Sequence, residues 1–337
     1  MKVFIIGATG LLGSEAARQL IDAGHEVSGL ALPPIPTGAP IPKEMTLKFG
    51  NYAECSDVEM GEFLKDMDGV VFAAGVDERV ECPSPVYDFF KKWNIDALQR
   101  ILKIAKEQKV KHAVVLGSYF VHMNRKFPEF NLYEAHPYIR SRVDQEELAI
   151  SMADASFDVA VLELPYIFGT QPGRKPVWTL LVDSVRSTPD VTYYPTGGTT
   201  MVTVKQVGQS IVGALTLNRG GNFYPIGYTN MTWNDLMGEV HNAMGLKGRP
   251  IYNTTQEQYV ASVEPLQKEL DSKGLDSGLN MVKFADLQFS NMFIDKNEGS
   301  TQLGVTEDDI IEAIHDSIRL SIDVVDATVE VIDMKVD

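Results

Sequence analysis

Three side chains in this 337-residue sequence have the types and spacing needed for acid–base chemistry. Tyr138 and Arg142 are four residues apart in a stretch with helical periodicity, so they lie on one face of a helix. A tyrosine hydroxyl, with a pKa of about 10, is a weak base at neutral pH, and a fixed cation beside it lowers that pKa. Ser118 ends an apolar run and could hold a substrate oxygen. The set is suited to moving a proton at an oxygen while a hydride moves at the adjoining carbon.

A glycine-rich stretch near the N-terminus carries the clearest binding signal. Gly7, Gly10 and Gly13 follow the apolar run at 3–6 and precede a segment with helical periodicity. In this context glycines permit a tight turn and the close approach of a phosphate, and the helix N-terminus supplies free N–H groups. An ordinary strand-to-helix turn remains the alternative. The loop predicts a dinucleotide pyrophosphate bound over residues 10–12.

The order of the other elements predicts an α/β protein with a doubly wound parallel sheet. Apolar strand-like runs alternate with helix-like stretches through the first half of the chain. Strands are predicted at 1–6, 25–32, 69–75, 112–118 and 158–164, and helices at 14–23, 86–108 and 138–152. Right-handed crossovers make such strands parallel. The acid–base candidates then lie at the carboxyl edge of the sheet, where open α/β sheets bind ligands.

The composition of the sequence changes after Pro165, and this change divides the chain into two parts. Gly, Pro, Asn and Thr become frequent there, and the predicted elements shorten. Residues 1–165 are expected to form a dinucleotide-binding domain, and residues 166–337 a smaller substrate-binding lobe. The strand–helix pair predicted at 201–215 is expected to return to the first domain. An acidic amphipathic helix is predicted at 306–325.

The G-x-x-G-x-x-G spacing of the loop resembles that of extended and atypical short-chain dehydrogenase/reductases, the NAD-dependent epimerase/dehydratase group. The resemblance covers residues 1–215. It rests on the loop together with Ala73-Ala74, Asn94, Gly117-Ser118 and the stretches 137–142, 165–169 and 202–204. It implies a Rossmann fold and an NAD(P)-dependent oxidoreductase or epimerase/dehydratase-like enzyme. Such an enzyme would act on a carbonyl or hydroxyl carbon of a small molecule, with a tyrosine as acid–base group.

The resemblance also implies roles for individual residues. Ser118, Tyr138 and Arg142 are the implied catalytic set, with Arg142 in place of the lysine that is usual in the family. A guanidinium keeps the positive charge but cannot give up its proton, so electrostatic activation survives and a relay through a neutral amine does not. The implied cofactor-binding residues are Gly7, Thr9, Gly10, Leu11, Leu12, Gly13, Asn51, Tyr52, Ala73, Ala74, Tyr138, Arg142, Pro165 and Ile167.

The sequence gives weaker indications of which cofactor and substrate are used. The second predicted strand ends at Leu32 with neither a carboxylate to repel a 2′-phosphate nor an arginine to bind one, and we expect NAD or NADP with a slight preference for NADP. Glu163 and Tyr166 stand where nucleotide-sugar members of the similar family often have arginine and asparagine. These replacements favour a smaller or more apolar carbonyl compound over a nucleotide sugar.

Composition makes several classes of partner and site poor candidates. The formal net charge of -16 repels nucleic acid and anionic membrane surfaces. No apolar run approaches the roughly 20 residues of a membrane span, and no signal peptide is recognised, so a cytoplasmic location is expected. The cysteines Cys55 and Cys82 and the six histidines lack metal-ligand spacing, and no metal site is expected.

Two functions from different classes remain open. The tyrosine and serine favour an enzyme, whereas the missing lysine leaves room for a non-catalytic NAD(P)-binding sensor or regulatory protein. The oligomeric state is also open, with a homodimer among the alternatives.

Overall fold

The computed structural model describes residues 1–333, which form an α/β fold. The strands are β1 Lys2–Ile6, β2 Glu26–Ala31, β3 Thr46–Phe49, β4 Gly69–Phe72, β5 Glu81–Pro83, β6 His112–Leu116, β7 Asp158–Glu163, β8 Tyr166–Phe168, β9 Thr192–Tyr194, β10 Gly198–Thr203, β11 Gly221–Pro225, β12 Thr229–Thr232, β13 Ile251–Asn253, β14 Leu275–Ser277 and β15 Asn291–Met292. The helices are α1 Leu11–Asp22, α2 Asp57–Leu64, α3 Val86–Phe90, α4 Ala97–Glu107, α5 Phe120–Lys126, α6 Leu132–Ala135, α7 Pro137–Ser151, α8 Thr179–Arg186, α9 Val204–Leu217, α10 Trp233–Ala243, α11 Gln256–Ser272, α12 Ala285–Gln288 and α13 Ile310–Val325.

The main sheet has seven parallel strands in the order β3-β2-β1-β4-β6-β7-β11. The order reverses between β1 and β4, so the loops that leave these two strands diverge and open a crevice at the carboxyl edge of the sheet. The predicted α/β fold with a doubly wound parallel sheet is confirmed.

Both faces of this sheet are buried, because successive side chains of a strand point to opposite sides. In β1, Val3 and Ile5 pack in the same cluster as the apolar residues of α1 and α9. Phe4 and Ile6 pack with those of α2 and α4 on the other face. Burying an apolar side chain of this size contributes about 1.5–3 kcal/mol. The continuous apolar run at 3–6 is therefore the signature of a central strand.

The two edge strands, β3 and β11, were not among the strands predicted from the sequence. Most side chains of β3 are exposed, and Phe223 in β11 is exposed as well. An edge strand has a neighbour on only one side and needs no continuous apolar run. Strand β11 also brings the chain after residue 165 back into the main sheet.

The segment predicted at 201–215 is divided between a second, smaller sheet and the helices that cover the main sheet. Strand β10 pairs with β12, β15 and β8 in a second sheet. Helix α9 packs on α1, where the Gln19 side-chain amide donates to the Lys205 carbonyl oxygen at 2.8 Å. The chain thus passes directly from the second sheet, at the end of β10, into helix α9 beside the main sheet.

The helix predicted at 86–108 contains a π-helical turn at Lys91–Asp96, which separates α3 from α4. The wider turn buries three consecutive side chains, Trp93, Asn94 and Ile95. Such π turns are frequent at functional sites. Periodicity in the sequence does not reveal this insertion.

Helix α13 begins at Ile310 rather than at the predicted 306. Asp309 is its N-cap, and the Glu312 amide donates to the Asp309 carboxylate at 3.0 Å. The preceding Thr306 instead bonds to α9: its amide donates to the side-chain oxygen of Gln209 at 3.0 Å. This contact keeps Thr306 outside helix α13.

A buried pair of carboxyl groups joins α7 to the end of β7. Arg125 donates to Glu146 at 2.8 Å and to Glu163, and both glutamates are at least 96% buried. Burial and the neighbouring Glu146 carboxylate raise the pKa of Glu163 to about 9. One of the two carboxyl groups therefore keeps its proton at neutral pH.

The Glu163 carboxyl group makes the stability of the fold depend on pH. Its pKa is raised in the folded protein, so between its ordinary value of 4.5 and about 9 the folded state binds more protons than the unfolded chain. The free energy of unfolding should decrease as pH rises through this window, by at most about 1.4 kcal/mol per pH unit for one proton. Glu163→Gln should flatten the decrease, measured by urea unfolding at several pH values.

The control for this experiment is Glu147→Gln, an exposed glutamate of α7 next to Glu146. It should leave the slope unchanged. A Glu163→Gln protein with the wild-type pH slope would contradict the buried, protonated carboxyl group.

Candidate functional site

The glycine-rich loop connects β1 to α1 in a conformation that only glycine adopts easily. Gly7 has a φ of 86°, and a Cβ atom there would lie 2.4 Å from the Ala73 carbonyl oxygen. A Cβ atom on Gly13 would lie 2.2 Å from the Gly7 carbonyl oxygen. Helix α1 begins directly after Gly10, and no side chain caps its N-terminus. The first N–H groups of α1 are therefore available to an anion.

A residue that the sequence analysis missed supports this loop from the second half of the chain. The buried Gln171 side-chain amide donates to the Thr9 carbonyl oxygen at 3.1 Å and to the Ser14 hydroxyl at 3.0 Å. Its oxygen accepts from Arg174 Nε at 2.9 Å. The sequence around Gln171 does not indicate this contact, because Gln171 and its partners Thr9 and Ser14 are about 160 residues apart in the chain.

A narrow pocket of 110 Å³ opens beside the glycine loop. It brings together four of the predicted residues, Gly7, Asn51, Tyr52 and Ala74. Trp93, from the π turn, completes one wall, and its carbonyl oxygen accepts from the Tyr52 hydroxyl at 3.2 Å. The remaining lining residues are Ile6, Leu30, Leu32, Gly50, Gly75 and Val76, so the pocket wall carries no charged side chain.

A larger cleft of 510 Å³ lies on the other side of the loop, at the carboxyl edge of the sheet. It brings the three predicted catalytic residues together with six of the predicted cofactor residues. These nine are Ser118, Tyr138, Arg142, Leu11, Leu12, Ala73, Ala74, Pro165 and Ile167. The predicted residues Thr9, Gly10 and Gly13 line neither the pocket nor the cleft and belong to the loop itself.

Tyr138 and Arg142 occupy adjacent turns of α7, and the guanidinium carbon lies 5.0 Å from the centre of the tyrosine ring. Tyr138 is 5% exposed and Arg142 is 8% exposed. Burial raises the pKa of Tyr138 above its ordinary value, and the Arg142 charge only partly opposes this shift. The tyrosine is therefore a neutral phenol at pH 7 and is ready to donate a proton.

The loop from Gly75 to Val80 is fixed against α7 by a buried network. Asn94 accepts from the Val76 amide at 2.9 Å and donates to the Val76 carbonyl oxygen at 3.0 Å. Arg142 donates to the same carbonyl oxygen at 3.2 Å and to Gln145 at 2.8 Å. Gln145 donates to the Asn94 carbonyl oxygen at 2.7 Å, which closes the network. In the sequence, only the three-residue spacing of Arg142 and Gln145, which places them on one side of a helix, points to this network.

Glu78, on the same loop, is a second residue that the sequence analysis missed. Its half-buried side chain lines the cleft with Tyr138, and burial together with the neighbouring Asp77 raises its pKa. Arg79 pairs with Asp77 at 2.5 Å rather than with Glu78. In sequence the three residues form a charged turn after a strand, which resembles an ordinary solvated loop.

Comparison with known families fits this arrangement. The model of the NAD dependent epimerase/dehydratase family matches residues 3–205 of the chain, which is more than half of its length. The chain belongs to this family. The match contains the glycine loop, the pocket residues and the Tyr138–Arg142 pair.

Solved structures with the same fold match nearly the whole chain. The crystal structure of gox2253 is 18% identical, with a TM-score of 0.73 over 94% of this chain and 97% of that one. MoeE5 in complex with UDP-glucose and NAD is 16% identical, with a TM-score of 0.65 over 96% and 100%. UDP-glucuronic acid 4-epimerase from Bacillus cereus, in complex with NAD, is 15% identical, with a TM-score of 0.66 over 95% and 99%.

One curated relative shares a short stretch of sequence with the chain. Uncharacterized protein C2A9.02 of Schizosaccharomyces pombe (strain 972 / ATCC 24843) is 60% identical over 30 residues, so the match spans a tenth of its length and 9% of this chain. In the part of the chain that the structure describes, no helix combines the length and apolar character that a membrane crossing requires.

The residues present fit a dinucleotide of the kind that the family name implies. Glycine at 7 and 13 lets the loop pack closely on the Ala73 and Gly7 backbone, and the N–H groups that open α1 remain free for a pyrophosphate. The 110 Å³ pocket beside the loop is uncharged. Arg142 Nε is buried with no hydrogen-bond partner among residues 1–333, so it has a donor to offer a ligand hydroxyl in the cleft. Pocket, loop and cleft adjoin one another in the order that an adenosine, a pyrophosphate and a nicotinamide riboside require.

Gly10→Val tests the loop as a binding site. Nothing but the Gly7 carbonyl oxygen, at 3.2 Å, lies near a Cβ atom at this position, and Gly10 has an ordinary φ of -73°. The fold should therefore tolerate the change. The added side chain should nevertheless obstruct a phosphate and weaken NAD binding by at least about tenfold, measured by calorimetry.

Gly238→Val is the matched control, because a Cβ atom on Gly238 in α10 meets nothing within 4 Å. It should bind NAD as the wild type does. Unchanged NAD affinity in a folded Gly10→Val protein would show that the loop does not bind the pyrophosphate.

Proposed function

We propose that this protein is an NAD-dependent oxidoreductase or epimerase-like enzyme that acts on a carbonyl or hydroxyl carbon of a small molecule. The observation that carries the proposal is the position of Tyr138 and Arg142 in a cleft that adjoins the glycine loop. When bound, NAD supplies the hydride acceptor at the substrate carbon, and NADH the hydride donor. The protein supplies the proton and the binding site.

Tyr138 is the proposed acid–base group. As a neutral phenol it donates its proton to the carbonyl oxygen while a hydride adds to the carbon, which gives an alcohol and leaves a phenolate. Ser118 holds that oxygen by a second hydrogen bond. The Ser118 hydroxyl lies on the loop after β6 and accepts only a long bond, 3.4 Å, from the Phe120 amide. The Arg142 charge stabilises the phenolate left after this transfer, and in the opposite direction that phenolate takes the proton of the alcohol.

Arg142 performs two tasks that the family lysine would not combine. One edge of its guanidinium is held by Val76 and Gln145, and the unpartnered Nε–H remains for a ribose hydroxyl. A planar guanidinium can make both sets of bonds because its five N–H donors point in fixed directions. The charge beside Tyr138 is thereby fixed in position.

We propose NAD as the cofactor, although the sequence slightly favours NADP. No lysine or arginine lines the 110 Å³ pocket next to the end of β2, so a 2′-phosphate there would lack a counterion. Calorimetric titration with both cofactors tests this choice. A higher affinity for NADP would overturn it without affecting the proposed reaction.

The second candidate is a non-catalytic NAD-binding sensor. It is favoured by the commitment of Arg142 to Val76 and Gln145, which a purely structural role would also explain. Cofactor binding without turnover of any carbonyl compound in a broad NADH-oxidation screen would support this candidate.

Tyr138→Phe should lower turnover of a substrate found in that screen by about 10²–10⁴-fold, because an acid–base group contributes this much. NAD affinity should change little, since the ring and its packing against Phe90 and Phe120 remain. Tyr133→Phe is the control, because the Tyr133 hydroxyl bonds to Asp144 outside the cleft. Full turnover by Tyr138→Phe would exclude the proposed proton donor.

Arg142→Lys separates charge from geometry. The lysine keeps the positive charge beside Tyr138 but cannot bond Val76 and Gln145 in the same plane. We expect turnover to persist within about tenfold and the NAD affinity to fall, measured as kcat and Kd for the same preparation. A loss of turnover as large as that of Tyr138→Phe would show that the guanidinium itself is required.

A further inference from the structure

The half of the cleft that is contributed by residues after 163 contains no charged side chain. Thirteen residues line it, and twelve of them are apolar or aromatic, among them Tyr166, Trp178 and Leu180; the thirteenth is Gln288. A substrate that reaches from Tyr138 into this half therefore contacts aliphatic and aromatic surfaces rather than cations.

Trp178 lies in this wall between two aromatic rings, and its one polar atom is bonded inside the protein. Trp178 stacks on Phe168 at 4.2 Å with an interplanar angle of 10°, and on Tyr166 at 5.5 Å. The Trp178 indole N–H donates to the Ile167 carbonyl oxygen at 3.1 Å. The indole nitrogen is thus bonded inside the protein, and the contact that Trp178 offers to a ligand is apolar.

The cations on the opposite wall of the cleft already have partners. Arg79 pairs with Asp77, and Arg142 is bonded to Gln145 and to a carbonyl oxygen. Glu78 lines the same wall and forms no ion pair within residues 1–333. A diphosphate placed here would add negative charge beside the Glu78 carboxyl group. Arg79 is already paired, and the one unpartnered donor of Arg142, its Nε–H, is assigned above to a ribose hydroxyl.

We propose that the substrate half of the cleft binds an uncharged, largely apolar carbonyl compound, or the corresponding alcohol, rather than a nucleoside diphosphate sugar. The inference rests on the proposed function, since it places the reacting oxygen at Tyr138. It assigns the rest of the substrate to the aromatic and aliphatic wall around Trp178. Recognition there comes from burial of apolar surface and ring contacts.

The experiment is calorimetric titration of the full-length, NAD-loaded protein with two probes, 2-acetonaphthone and UDP-glucose. We expect the ketone to bind at least about tenfold more tightly than UDP-glucose. Tighter binding of UDP-glucose would overturn the proposal, and so would the absence of measurable ketone binding.

A pair of matched variants locates the probe. Leu180→Lys adds a cation to the apolar wall at a residue that is 47% exposed, so the fold should tolerate it. The ketone should bind at least about tenfold more weakly and UDP-glucose more tightly. Leu266→Lys, on α11 outside the cleft and 53% exposed, should change neither affinity. Equal affinities for the ketone in the two variants would show that it binds elsewhere.

NADH oxidation with the ketone, and NAD reduction with UDP-glucose, separate this inference from the proposed function, because UDP-glucose has hydroxyl groups but no carbonyl group that NADH could reduce. Ketone binding at the Leu180 wall without Tyr138-dependent NADH oxidation would refute the catalytic proposal and leave the binding proposal intact. Tyr138-dependent turnover of UDP-glucose, with no binding of the ketone, would refute the binding proposal and leave the catalytic one.

Discussion

The amide and carbonyl groups of Val76 are the point on which the candidate site depends. They lie in the loop after β4, outside any strand, and buried backbone groups must find hydrogen-bond partners elsewhere. Asn94 satisfies both groups, and Arg142 donates to the carbonyl oxygen as well. One short loop thereby fixes the Arg142 side chain of α7 and also carries Glu78 to the cleft.

The π turn at Lys91–Asp96 carries the residue that meets this constraint. Asn94 lies there, fully buried between Trp93 and Ile95. The same turn brings Trp93 to the narrow pocket and its carbonyl oxygen to Tyr52. The two halves of the cofactor region are thus held by adjacent residues of one helical distortion.

Residues after 165 support the glycine loop and form one wall of the cleft. Gln171 holds the glycine loop from behind, and the residues around Trp178 form the apolar side of the cleft. The charged side chains that line the cleft come from the loop after β4 and from Arg142 on α7. The cleft is therefore asymmetric: Tyr138 and the charged side chains lie on one wall, and apolar and aromatic side chains line the other.

Local sequence was sufficient for the features that depend on neighbouring residues. The apolar run of β1 followed by Gly7, whose φ of 86° favours glycine, predicted the strand–loop–helix unit, and helical spacing placed Tyr138 and Arg142 on one face. Tertiary structure alone decided the partners of Arg142, the support of Thr9 by Gln171, the position of Glu78 in the cleft and the raised pKa of Tyr138. These depend on burial and on contacts between residues far apart in the chain, and neither leaves a local pattern in the sequence.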